Sequence, residues 1–277
     1  MACAVAFGIV LALAYWSGAA RAVDGAALEG FTGLDRAGSL GLLNALISIG
    51  NPLPVALAGL LMALIALAGG RPRAALFVLA LVAITSASSQ TLKALLAHPR
   101  PQGVPAGIDD AAFPSGHATA IMSLAIAFVV TMPARLRPAA ATVGLGVVVP
   151  VSYSLVTLGG HFPSDVVGGY LLATGTALVL LAALRAAEAR YPEREGRRQA
   201  VLIARRWTER VAAVGLAAGL GVGLLVAGAI TTLAGLQGPR VVDYAQDNTA
   251  FVVVAGVLAL SALTLLGALT SVLSRRA

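Results

Sequence analysis

Charged residues are scarce in this chain of 277 residues, and cysteine is almost absent. Only 11% of the residues are charged, which is too few to cover the surface of a soluble protein of this length. The single cysteine, Cys3, excludes an intramolecular disulfide and a cysteine-based metal site. Hydrophobic residues make up 58% of the chain, and the mean hydropathy is +0.90. The composition therefore predicts a membrane protein.

Eight apolar stretches approach the roughly 20 residues that a helix needs to cross a bilayer. The first stretch lacks the basic start of a signal peptide, so we expect a retained helix. The apolar segment 34–49 ends at prolines 52 and 54, which predicts either a short interfacial helix before a new membrane helix or one kinked helix. The eight stretches lie near 2–20, 53–70, 74–95, 116–133, 139–159, 165–184, 211–235 and 249–272.

The formal net charge of +7 is distributed in short clusters between the apolar stretches, which favours membrane loops over a nucleic-acid surface. If eight helices alternate in direction, fourteen of the nineteen lysines and arginines fall on one side. The positive-inside rule makes that side cytoplasmic and puts both termini there. We therefore expect a multi-pass protein of the cytoplasmic membrane and no nucleic-acid partner.

A basic segment divides the chain into three predicted parts. These are a six-helix core at 1–184, a cytoplasmic linker helix at 185–210 and a two-helix membrane extension at 211–277. Glycines recur every four residues in the extension, a spacing that lets helix backbones approach closely. They are Gly215, Gly219 and Gly223. The spacing predicts that this helix packs against the last helix or the core, with a homodimer as the alternative.

Three polar groups lie at predicted helix ends on the side opposite the arginine clusters. They are Lys93 with Arg100, the run from Phe113 to His117, and the run from His161 to Asp165. Lysine and arginine supply positive charge, and a guanidinium can hold two phosphate oxygens. Ser115 stands at a helix N-cap whose free amides favour an anion, and Gly116 allows a ligand to approach that backbone. This pattern predicts an oxyanion site.

The same groups contain two histidines and one carboxylate, the residue types needed for nucleophilic and general acid–base catalysis. Asp165 follows His161 by four residues, close enough to orient the imidazole and to stabilise its charged form.

Three motifs together resemble the signatures of the type 2 phosphatidic-acid phosphatase family. They are Lys-x6-Arg-Pro from Lys93, Pro-Ser-Gly-His ending at His117, and His-x3-Asp from His161 to Asp165. The resemblance covers roughly residues 35–185. It implies an all-α membrane fold and no metal or other cofactor. It also implies that His161 is the nucleophile, that His117 is the proton donor and that Asp165 orients His161. The implied phosphate ligands are Lys93, Arg100, Ser115 and Gly116.

One departure from the family pattern concerns the third motif, which usually begins with Ser-Arg. Ser154 is present here, but Leu155 occupies the position of the arginine. The loss of a bidentate phosphate donor leaves three interpretations open. The remaining cations suffice, another side chain replaces the arginine, or the protein binds a lipid phosphate without turning it over.

The resemblance implies a membrane lipid phosphatase whose active site faces the outer side of the membrane. Expected substrates are polyprenyl diphosphates such as undecaprenyl diphosphate, phosphatidic acid, phosphatidylglycerol phosphate and polyprenyl-linked phosphosugars. The alternatives are a non-catalytic lipid-phosphate binder or transporter and a lipid phosphotransferase. Little polarity occurs at the centres of the predicted helices, which favours an enzyme over a transporter.

Overall fold

The computed structural model describes residues 1–34, 40–97, 108–190 and 238–274. Arg100, the predicted linker beyond residue 190, the stretch 211–235 and the three glycines within it lie outside these residues. The described part of the chain forms ten α-helices and no strand: α1 (Ala2–Trp16), α2 (Gly18–Thr32), α3 (Leu40–Ser48), α4 (Pro52–Ala68), α5 (Pro72–Leu95), α6 (Gly116–Thr131), α7 (Arg137–Thr157), α8 (Pro163–Arg190), α9 (Gly238–Asp247) and α10 (Thr249–Ser274).

Four of these helices have the length and hydropathy to cross a bilayer. They are α5, α7 with the short 3₁₀ turn that precedes it, α8 and α10. The number rises to six if each of two bent helix pairs counts as one span. The chain is therefore a polytopic all-α membrane protein, as predicted. One of the eight predicted spans, 211–235, lies outside the described residues.

The first predicted membrane helix, 2–20, is broken in the structure. Ser17 adopts an extended backbone conformation, and its hydroxyl oxygen accepts a hydrogen bond from the amide of Ala20 at 3.3 Å. This cap starts a new helix, so α1 and α2 meet at 86°. The expectation of one continuous helix is wrong here because a serine that caps a new helix competes with the propagation of the old one.

The apolar segment before Pro52 forms a helix of its own, separated from the next helix by a short break. Helices α3 and α4 are bent by 49° at residues 49–51. Pro52 and Pro54 lie in the first turn of α4, where a missing N–H costs no hydrogen bond. The chain therefore bends at Gly50 and Asn51 before it enters α4.

Helix α6 is the central helix of the bundle, and residues around its whole circumference are buried. It packs against α4, α5, α7 and α8. Because it does not face lipid, its polar side chains find partners inside the protein. The Ser123 hydroxyl lies 2.7 Å from the carbonyl oxygen of Thr119 and 3.0 Å from the hydroxyl of Thr85 in α5, both within hydrogen-bond distance.

The two ends of the bundle differ in charge. At the end that we call the arginine end, Arg71 donates to the carbonyl oxygens of Thr131 and Val130 at 2.6 and 2.9 Å, and Arg137 donates to that of Leu273 at 2.8 Å. These guanidinium groups satisfy the last carbonyls of α6 and α10 and complement their helix dipoles. Lys93, His117 and His161 lie at the opposite end, which we call the histidine end.

Helix α2 crosses the histidine end of the bundle. Near its C-terminus, Phe31 contacts Tyr153 of α7 and Phe251 of α10, with ring centroids 5.5 and 4.7 Å apart. Tyr153 in turn donates a hydrogen bond to the carbonyl of Ala255 in α10 at 2.7 Å. The N-terminal and C-terminal parts of the chain therefore pack together over the core helices at this end.

Candidate active site

Most of the residues predicted to form the site come together at the histidine end. Lys93 lies in the last turn of α5, His117 in the first turn of α6, and His161 just before α8. Lys93 and His161 both lie within electrostatic range of the His117 imidazole. A backbone hydrogen bond of 2.9 Å from the Ser115 amide to the Asp165 carbonyl joins the second and third motifs directly. The placement of Arg100 is outside the described residues.

His161 and Asp165 form a close pair inside the protein. Nδ1 of His161 lies 3.5 Å from Oδ2 of Asp165, and the Asp165 side chain is completely buried. The same oxygen accepts a hydrogen bond of 2.9 Å from the Phe162 amide, which fixes the carboxylate. Nδ1 is buried without an aligned hydrogen bond, so the imidazole and the carboxylate are in close contact but not hydrogen-bonded to each other. Nε2, on the other side of the ring, faces away from this carboxylate.

The chain reaches His161 through a helix-ending turn at the end of α7. Gly159 has a φ of 67°, a left-handed conformation that favours glycine. Its amide donates to the carbonyl of Val156 at 2.9 Å, and the Gly160 amide donates to that of Leu155 at 3.1 Å. This is the pattern of a Schellman motif, which satisfies the last carbonyls of the helix and turns the chain sharply. His161 follows directly.

Ser115 is the N-cap of α6 and is completely buried. Its hydroxyl oxygen accepts from the Ala118 amide at 3.3 Å, so the side chain holds the helix start in place. The amides of Gly116 and His117 belong to the first turn, whose N–H groups have no partner within the helix. The start of α6 is therefore able to bind an anion through backbone amides and the helix dipole.

The side of Gly116 that carries no side chain faces α5. A Cβ atom built on Gly116 would lie 3.8 Å from Nε2 of Gln90 and 3.9 Å from Oγ of Ser89. Gln90 precedes Lys93 by three residues, which puts both on one face of α5. Gln90 was not among the predicted site residues, because a lone glutamine near a helix end carries no motif.

His117 contacts a residue that the motifs did not reveal. Its Nε2 lies 3.1 Å from Oδ1 of Asn51 at the corner between α3 and α4. Gly50 makes this approach possible, since a Cβ atom there would lie 3.0 Å from Cδ2 of the His117 ring. The signal in the sequence was the Gly-Asn-Pro break, which was interpreted only as a helix boundary.

Asp24 of α2 holds the start of α8, and sequence reasoning also missed this contact. Its carboxylate accepts hydrogen bonds from the amide and the hydroxyl of Ser164 at 3.1 and 2.6 Å. Ser164 lies between His161 and Asp165 in the chain, so α2 fixes the segment that carries both. An acidic residue within a mostly apolar segment was the available signal in the sequence.

Two glycines of α8 make room for the second motif. A Cβ atom on Gly169 would lie 2.8 Å from the carbonyl oxygen of Ser115 and 3.0 Å from the Thr119 amide. On Gly168 it would lie 2.6 Å from the ring of Phe113. The start of α6 therefore rests directly on the backbone of α8, which sets the distance between the two predicted catalytic segments.

Leu155, at the position of the family arginine, points into the hydrophobic core and is 3% exposed. No donor reaches the site from this position. Lys93 supplies positive charge near His117.

A family model described as the PAP2 superfamily matches residues 55–188, which confirms the resemblance inferred from the three motifs. Among solved structures, the chain is similar to the first transmembrane PAP2 type phosphatidylglycerolphosphate phosphatase from Bacillus subtilis, with 20% sequence identity and a TM-score of 0.55. The likeness covers 70% of this chain and 97% of that one and shows a shared fold. No curated protein sequence matches. Asp24 and Asn51 lie outside the region that the family model matches.

Proposed function

We propose that this chain, whose residues 55–188 match the model of the PAP2 superfamily, hydrolyses the phosphate ester or diphosphate of a membrane lipid. The observation that carries the proposal is the convergence of His117, His161 and Lys93 at the amide-bearing start of α6, with Asp165 behind His161. A purely structural role would not explain why these four side chains lie together at one end of the bundle, whereas catalysis gives each of them a task.

In the first step, Nε2 of neutral His161 attacks phosphorus, and the bond to the leaving oxygen breaks. Asp165 stabilises the positive charge that develops on the imidazole through Nδ1. Protonated His117 gives its proton to the leaving oxygen, which departs as an alcohol or as a lipid monophosphate. Lys93, Arg100 and the first amides of α6 hold the phosphoryl oxygens as charge develops on them.

In the second step, water attacks the phosphohistidine, and His117, now neutral, takes a proton from that water. The bond between phosphorus and Nε2 breaks, which releases inorganic phosphate and restores both histidines. Attack by a lipid hydroxyl in place of water would make the protein a phosphotransferase. The Asn51 contact with Nε2 of His117 orients the ring before substrate arrives.

The proposed orientation puts the histidine end at the outer membrane face and the arginine end in the cytoplasm, because the arginines gather at one end of the bundle. The division into a core at 1–184, a linker at 185–210 and an extension at 211–277 stays a proposal. So does a homodimer formed through the extension.

A second function, binding of a lipid phosphate without turnover, is favoured by one observation. Leu155 is in the core, so the site has one arginine fewer than the family pattern. Removing one such donor from a phosphoryl-transfer site costs on the order of 3 kcal/mol of transition-state stabilisation. A binder would keep the cradle of Lys93 and the α6 amides.

The deciding experiment measures phosphate release from a panel of lipid phosphates in the presence of a chelator, for wild type and His161→Ala. The panel contains polyprenyl diphosphate, phosphatidic acid and phosphatidylglycerol phosphate. We expect turnover that is resistant to the chelator and lost in the variant. Equal silence of both proteins, together with retained binding of a lipid phosphate, would show that the chain is a binder.

A further inference from the structure

The side chain of Asn51 contacts His117 from a part of the chain that lies outside the family match. Oδ1 of Asn51 is 3.1 Å from Nε2 of His117, although the two residues are 66 positions apart. Asn51 precedes residues 55–188, the region that the family model matches. The contact therefore comes from the corner between α3 and α4 and is not part of the three motifs.

Asn51 occupies the N-cap position of α4, but its side chain does not cap that helix. An N-cap asparagine usually accepts a hydrogen bond from the amide two or three residues further on. The residue three positions on is Pro54, which has no N–H, and Pro52 at the first helical position has none either. Capping of α4 therefore does not explain the asparagine side chain, whose oxygen is left for His117.

The backbone on both sides of Asn51 holds its amide group against the imidazole. The main-chain N–H of Asn51 donates to the carbonyl of Ser48 at 3.1 Å, and the main-chain carbonyl accepts from the amide of Val55 at 3.1 Å. Gly50 lets the corner approach the ring, because a Cβ atom there would lie 3.0 Å from Cδ2 and 3.4 Å from Cβ of His117. The position of the Asn51 side chain is therefore set by the main chain of the corner.

The chemistry of the two side chains determines the direction of their hydrogen bond. A protonated imidazole carries an N–H on both ring nitrogens and can only donate, so it needs an oxygen opposite Nε2. Oδ1 of Asn51 is that oxygen, and in the neutral ring it keeps the remaining proton on Nε2. Nδ1 of His117 makes no hydrogen bond to the residues that the structure describes. Nδ1 is therefore the nitrogen available to a substrate.

We propose that Asn51 is a positioning residue that keeps a proton on Nε2 of His117 and so reserves Nδ1 for both proton transfers, an inference that rests on the proposed phosphatase function. In the first step, Nδ1–H gives its proton to the leaving oxygen as the bond from phosphorus to that oxygen breaks. In the second step, water attacks the phosphorus of the phosphohistidine, a proton of that water goes to Nδ1, and the bond between phosphorus and Nε2 of His161 breaks. The hydrogen bond to Asn51 is kept throughout, so the His117 ring does not turn between the steps.

The first test determines the tautomer of His117 by NMR and needs no turnover. The full chain in detergent is isotope-labelled in the imidazole rings of its three histidines, and His117→Gln identifies the signals of this ring. At alkaline pH we expect wild type to carry the proton on Nε2 and Asn51→Ala to show a mixture of both tautomers. Asn51→Asp should keep the proton on Nε2, because a carboxylate also accepts a hydrogen bond.

Asn44 provides the matched control for both substitutions. It is an exposed residue of α3, and its side chain donates to the carbonyl of Leu40 in its own helix at 2.9 Å. Asn44→Ala and Asn44→Asp therefore make the same chemical changes near the corner without altering the contact with His117. We expect both to match wild type in the tautomer of His117.

The second test measures phosphate release from a lipid phosphate as a function of pH. The charges of Lys93 and His161 also act on His117, whereas α3 and α4 contain no ionisable residue. An acceptor opposite Nε2 favours the charged ring, and a negative one favours it more. Because the first step needs protonated His117, activity should be lost at a lower pH in Asn51→Ala and at a higher pH in Asn51→Asp than in wild type.

The size of the effect on turnover also distinguishes positioning from substrate binding. General acid–base catalysis contributes about 100-fold to 10,000-fold to a rate, and Asn51→Ala removes the control of the proton but keeps the histidine. We therefore expect kcat to fall about tenfold in Asn51→Ala, with KM nearly unchanged. Asn51→Asp should recover most of the loss at the pH where wild type is most active.

The two tests separate a failure of this inference from a failure of the proposed function. No phosphate release from wild type, together with a tautomer that changes in Asn51→Ala, would reject the phosphatase function and support the assignment of the tautomer. Phosphate release with the same tautomer and the same pH dependence in wild type, Asn51→Ala and Asn44→Ala would overturn the inference. If Asn51→Ala gives no folded protein, Asn51→Asp decides, and a pH dependence equal to that of Asn44→Asp would overturn the inference.

Discussion

The contact between Asp24 and Ser164 offers the sharpest test of how this fold supports its site. The Asp24 carboxylate accepts two hydrogen bonds at the first turn of α8, from the Ser164 amide at 3.1 Å and from its hydroxyl at 2.6 Å. Hydrogen bonds to a charged group contribute about 1.5–3 kcal/mol each, and a carboxylate at a helix N-terminus adds up to about 1 kcal/mol. Asp24→Ala should therefore weaken the anchoring of this turn by about 3 kcal/mol or more.

The expected consequence is a loss of turnover, because Ser164 lies between His161 and Asp165. A displacement of about 1 Å in a reacting group costs on the order of a hundredfold in rate. We therefore expect kcat for lipid phosphate hydrolysis to fall about 10-fold to 100-fold in Asp24→Ala, with a smaller change in KM. Asp24→Asn keeps one acceptor and should lose less. Glu29→Gln, an exposed charge change on the same helix, is the control.

A double-mutant cycle with Ser164→Ala separates this contact from general damage. If Asp24 acts through Ser164, the effects of Asp24→Ala and Ser164→Ala on kcat and on the unfolding midpoint will be less than additive. Strict additivity, or a kcat of Asp24→Ala equal to that of Glu29→Gln, would refute the reasoning. The unfolding measurement keeps the test meaningful even for a protein without turnover.

Two further predictions concern positions where the structure leaves no room. Gly169→Ala should abolish most activity and lower the unfolding midpoint, because the new Cβ atom meets the backbone at the start of α6 at 2.8 Å. Gly256→Ala, in open space on α10, should behave like wild type in both assays. Leu155→Arg, which restores the family residue, should reduce folded yield and midpoint by burying an unpaired charge at a cost of several kcal/mol. A gain in phosphate release with an unchanged midpoint would show that the arginine reaches the site instead.

Local features of the sequence were enough to predict much of this protein. The length and hydropathy of the apolar stretches determine α5, α7, α8 and α10 as membrane-spanning helices, because a bilayer imposes one required length. Pro52 and Pro54 separate α3 from α4 through a steric effect that acts within one turn. The alternation of spans put the three motifs at one end, since each crossing reverses the direction of the chain. The family match over residues 55–188 confirms the resemblance that these motifs carried.

The tertiary structure decided what the motif residues contact. Asp24 and Ser164 are 140 residues apart, and Asn51 and His117 are 66 residues apart. The need for glycine at position 169 exists only because α6 rests on the backbone of α8 there. Such contacts depend on how helices pack, and side-chain spacing within one helix contains no information about the neighbour that it meets. Most of the helical segments and the family resemblance were therefore readable from the sequence, whereas the contacts that hold the two histidine segments emerged only when the helices were packed together.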